Sequence, residues 1–125
     1  MGIDFSHTEA HWSYTSFSRF RRALAAFEGI DLDAMQGFTA GGKPWESVTT
    51  PLKPLLDHSD CDGELAPADC TKVAPRLRAV IDELWPAETS TWEQNPEASI
   101  HRSNGLLLAE GMEAAAASDE PLEFC

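Results

Sequence analysis

Apolar residues recur at helical spacing in three stretches of this chain and alternate with polar residues at both of its ends. Between Thr15 and Glu28, Phe17, Phe20, Leu24 and Phe27 follow one another at steps of three and four, which places them on one helix face beside Ala23. Arg19 and Arg22 fall on the other face, and Gly29 supplies the residue that a left-handed helix cap favours. The stripe Cys70, Val73, Leu77, Val80 and Leu84, with Ile81 alongside, predicts a second helix opened by Pro67. Pro75 lies inside it, and because the phase of the stripe survives the proline, a kink is expected rather than a division. The third begins at Asn95-Pro96-Glu97, where a cap, a first-position proline and an early acid stand in order, and it runs to about Ala117. Its buried side is predicted to carry Ile100, Leu107, Leu108, Gly111, Met112 and Ala115.

Weaker patterns fill the rest. Thr50-Pro51 predicts a short helix to about His58, Asp31 to Met35 a capped turn at most, and Gly37 to Pro44 a loop. Ile3 to Ser6 and Leu122 to Phe124 alternate as strands do, and since chain ends often lie close together they are expected to pair. These elements define a mainly α, small helical domain with three longer helices and one or two short ones, which a short two-stranded terminal sheet can close. Residues 1-125 form a single domain around Phe17, Phe20, Leu24, Phe27, Val73, Leu77, Val80, Leu84, Ile100, Leu107 and Leu108.

Composition narrows the partners. The 125 residues carry a formal charge of -12 at pH 7, and the acids are concentrated after Gly29. Such a surface repels phosphate backbones and anionic lipid, so direct nucleic-acid and membrane binding are not expected, whereas cations and a basic protein partner are favoured. No stretch is apolar enough to span a bilayer, and the start of the chain lacks the basic and apolar regions of a signal peptide, which reads as cytoplasmic. Three cysteines, Cys61, Cys70 and Cys125, make an odd count that suits thiols or metal ligands better than structural disulfides, although a Cys61 to Cys70 bridge stays geometrically open.

One segment carries chemistry. His58-Ser59-Asp60-Cys61-Asp62-Gly63-Glu64-Leu65-Ala66-Pro67-Ala68-Asp69 joins two predicted helices and resembles a calcium-binding loop of the EF-hand type. A hard cation takes six to eight oxygens, which alternate residues of a tight loop supply when a glycine lets the chain reverse. The resemblance implies side-chain ligands at Asp60, Asp62 and Asp69, a carbonyl donor at Glu64, a turning glycine at Gly63 and an apolar anchor at Leu65. His58 stands where that loop type has an aspartate, and Asp69 where it has a longer glutamate, so charge and ligand count both fall. Two other readings stay open. Asp60, Asp62 and Gly63 can form an ordinary acidic turn that caps the next helix, and His58, Cys61 and Cys70 offer softer donors suited to zinc.

His7 and His11 are expected at the surface or bonded locally, and Cys70 belongs equally to an apolar stripe, where a thiol packs as a small hydrophobe. No phosphate-cradling glycine loop, dinucleotide fingerprint or nucleophile elbow is present, so no motif points to an enzyme. The segments 2–7, 11–14, 58–65, 73–78, 106–117 and 121–125, taken together, are similar to a set of small actinobacterial proteins. That likeness implies a standalone bacterial cytosolic domain and brings no activity with it.

Overall fold

The computed structural model describes residues 2–31, 50–56, 63–85 and 96–124. In chain order the elements are β1 (Gly2–Asp4), β2 (His11–Ser13), α1 (Tyr14–Phe27), α2 (Lys53–Leu56), β3 (Glu64–Leu65), α3 (Pro67–Leu84), α4 (Pro96–Ala117) and β4 (Leu122–Glu123). The fold is a mainly α small domain with three long helices and one short one among the described residues, together with two two-stranded antiparallel sheets.

Local chemistry explains the helix ends. Ser13 caps α1 by accepting the Ser16 N–H at 3.2 Å. At the other end Gly29, at φ 77°, lets the Ile30 amide return to the Ala25 carbonyl at 2.8 Å. The same closure ends α4, where Asp119 takes the left-handed position at φ 54° and the Glu120 amide donates to the Ala115 carbonyl at 2.9 Å. The α3 helix starts at Pro67, with Asp69 in its first turn, and runs through Pro75 as one element, so it is not divided.

The two end segments meet as expected, through a single bridge, and each also pairs with a further strand. β1 joins β2, with Ile3 opposite Trp12, and β3 joins β4, with Leu65 opposite Leu122. The two chain ends meet where Phe5 and Phe124 form an antiparallel bridge. The Ser6 amide donates to the Glu123 carbonyl at 3.0 Å, and the Glu123 amide returns to Ser6 Oγ at 2.8 Å. β4 therefore has β3 on one side and the Phe5-Ser6 segment on the other.

The core is continuous from this seam to the helices. Phe5 packs edge-on against Phe124 with ring centroids 4.9 Å apart, and Trp12 lies 4.7 Å from Phe20. Such aromatic pairs add to the stabilisation from area alone. Behind them Val73, Leu77, Val80 and Ile81 of α3 meet Leu108, Met112 and Ala115 of α4, all fully buried. Gly105 permits a close approach here, since a Cβ there would sit 2.6 Å from Ile81 Cδ1 and 3.1 Å from the Phe20 ring.

Two expected core positions are outside. Phe27 is 42% exposed, with the Arg76 guanidinium 5.9 Å from its ring centre, and Ile100 is 45% exposed. On α4 the buried row runs His101, Gly105, Leu108, Met112, Ala115, at unbroken steps of four and three. Ile100 falls out of that phase, and Leu107 and Leu84 only flank the core.

Candidate functional site

The acidic loop enters the described structure at Gly63 and leaves it in the first turn of α3. Gly63 sits at φ 96°, a left-handed conformation that side-chain-bearing residues rarely hold. Its carbonyl accepts the Phe124 amide at 2.8 Å. Antiparallel ladders alternate bonded and non-bonded pairs, so with Gly63 bonded to Phe124, the pair Glu64–Glu123 is the non-bonded one. The Glu64 carbonyl is thus directed away from β4, while on the far side of that strand the Glu123 groups go to Ser6. Leu65, buried beneath, fixes this short strand to the core.

Asp69 is half-buried in the first turn of α3, where the exposed amide ends of the helix favour a carboxylate. Of the expected ligands, Glu64 and Asp69 are placed at the loop's exit, and His58, Asp60 and Asp62 lie outside the described residues. So do Cys61 and Cys125. Among the described residues no three His, Cys, Asp or Glu side chains gather into a metal-sized group.

Cys70 is buried under β3, and its thiol lies 3.6 Å from the Leu65 carbonyl. Loss of solvation by burial pushes that thiol up from its ordinary value, and the Asp69 carboxylate adds to the effect, against a lowering bond from the Leu122 backbone. A thiol held protonated in this way is a poor thiolate donor.

Two buried polar side chains were not singled out from the sequence. Arg21, 3% exposed, donates to the Leu56 carbonyl at the end of α2 and lies 5.7 Å from the Phe17 ring centre. His101, 4% exposed, receives the Trp12 indole N–H on Nδ1 at 3.2 Å, with Trp85 and Phe20 against its ring. Indole only donates, so this nitrogen carries no proton and the ring is neutral. The signal was available: a buried tryptophan needs an acceptor, and His101 stands in phase with Leu108 and Met112. His7 and His11 behave as expected, His11 on β2 meeting Asp4 at 2.8 Å and His7 meeting Ser6 and Glu120.

Three of the described cations pair with the chain's own acids. Arg76 makes a two-pronged pair with Glu28, Arg78 with Glu113, and Arg102 bridges Asp82 and the Trp85 carbonyl. No helix among the described residues is long and apolar enough to cross a membrane. Comparison with protein families, with characterised proteins and with solved structures gave no match.

Proposed function

We propose that this protein binds a divalent cation of the calcium type in the loop 58–69, through Asp60, Asp62 and Asp69 side chains and the Glu64 carbonyl, with His58 at the first position. The observation that supports it is the left-handed turn at Gly63, followed at once by a strand that aims the Glu64 carbonyl away from β4. An ordinary acidic turn needs neither a fixed exit strand nor a carboxylate placed in the next helix turn. Zinc is the weaker choice, because Cys70 is buried and held as a thiol. Calorimetric titration with calcium tests the reading. One saturable site, lost in Asp60→Asn with Asp62→Asn, is expected, and calcium raises the melting temperature of the parent chain alone. No heat and no shift at millimolar calcium would refute it.

A second reading draws on the ion pairs. With Arg76, Arg78 and Arg102 paired to the chain's own acids, those cations are not free to offset the rest of the -12 charge, which suits docking on a basic partner in the cytoplasm. Such capture from lysate falls steeply with salt, and a yield indifferent to salt counts against it.

A further inference from the structure

The turn after Phe5 and the turn that ends α4 meet, and three side chains there form one continuous hydrogen-bonded chain. Ser6 Oγ lies 2.9 Å from His7 Nδ1, and His7 Nε2 lies 3.3 Å from Glu120 Oε1. In the neutral tautomer whose proton lies on Nε2 and faces the Glu120 carboxylate, Nδ1 is an acceptor and the Ser6 hydroxyl donates to it. The Glu123 amide donates to the same Oγ at 2.8 Å, so negative charge developing on that oxygen meets a fixed donor.

His7 holds this geometry at φ 66°, a backbone conformation costly for a residue with a side chain. A serine that merely ended the strand ladder would need the Glu123 bond and nothing from His7. Hydroxyl, base and orienting acid in this order are what an activated nucleophile requires.

We propose that Ser6 is an acyl-accepting nucleophile toward activated esters, with His7 taking its proton and Glu120 as the positioning residue. In the step, Ser6 Oγ forms a bond to the ester's carbonyl carbon while the hydroxyl proton passes to His7 Nδ1. The bond from that carbon to the leaving oxygen breaks with its electron pair, and the departing alcohol takes the proton from Nδ1. Glu120 stays ionised throughout and opposes the transient positive charge on the imidazole.

The test exposes the full chain to p-nitrophenyl acetate and maps acetylation by mass spectrometry. Expected is Ser6 labelling ahead of the exposed Ser13 and Ser103, slowed at least about tenfold in His7→Asn, a change whose side chain tolerates the left-handed backbone. Glu120→Gln should slow Ser6 labelling several-fold, and Glu120→Asp should restore part of the rate. Equal labelling of Ser6, Ser13 and Ser103, or a rate unchanged in His7→Asn, overturns the proposal. A Ser6→Ala variant that lowers the melting temperature without any preferential Ser6 labelling in the parent also overturns it, leaving the serine a ladder end.

Discussion

The α3–α4 pair and the seam at the chain ends both bury apolar side chains, aliphatic in the first and aromatic in the second, but are specified over different distances. In the helix pair, Val73, Leu77 and Val80 face Leu108, Met112 and Ala115, and each row follows from steps of three and four within one segment. In the seam, Phe5, Trp12 and Phe124 are brought together from both termini, and the bonds that align them run between Ser6 and Glu123. The helices tolerate single faults because each carries its own hydrogen-bonded backbone. The seam has short strands, so its side chains and bridging bonds carry the register.

That contrast can be broken by truncation. Trp12→Ala, which empties the junction of Phe5, Phe17 and Phe20 and removes the His101 partner, should cost about 3–5 kcal/mol in urea denaturation. A loss under about 2 kcal/mol would mean the seam is not a keystone of the core. Gly105→Ala probes the helix side. Its methyl would press on Ile81 and the Phe20 ring, and overpacking of about 1–3 kcal/mol is partly offset by alanine's helix preference of about 1 kcal/mol. A net destabilisation is expected, and a gain in stability would show that the two helices can part.

The bond from the buried Trp12 N–H to His101 belongs to the seam, and His101→Leu, which removes the acceptor, should cost about 1–3 kcal/mol in the same denaturation. An unchanged stability would contradict that bond. The smallest effect lies on the helix pair. Hydrogen bonding to Arg78 holds the Glu113 carboxyl below its usual value, so its contribution is present above the unfolded carboxylate range and fades as pH drops through the lowered folded value. Both groups are largely exposed, so Glu113→Gln should cost a few tenths of a kcal/mol, less still in high salt.

The distance over which each part is specified also decides what could be read beforehand. The α4 limits, Pro96 and Ala117, and the Pro67 start of α3 follow from prolines, caps and local period, and the structure places them where expected. Hydrophobicity misled where phase should have ruled: Ile100 was given the core place that the row through Leu108 assigns to His101, and Phe27 a burial that Arg76 and Glu28 reshape into a partly open ring. The pairing of β1 with β2 and of β3 with β4 was not legible, because three-residue strands carry too little pattern to name a partner. In the loop, Gly63 takes a left-handed backbone and Leu65 is buried, while residues 58–62 lie outside the described structure. The bond from Phe124 that holds this exit in place depends on the far end of the chain.

Whether calcium is held by the loop or merely attracted by an acidic surface is separated most directly by following backbone amide resonances during a calcium titration. Binding in the loop predicts saturable shifts concentrated at Gly63, Glu64, Leu65 and Asp69, with the Phe124 amide responding through its bond to Gly63. Shifts that grow without saturating and spread over exposed acids such as Glu110 and Glu113, with Gly63 to Leu65 unmoved, would contradict it.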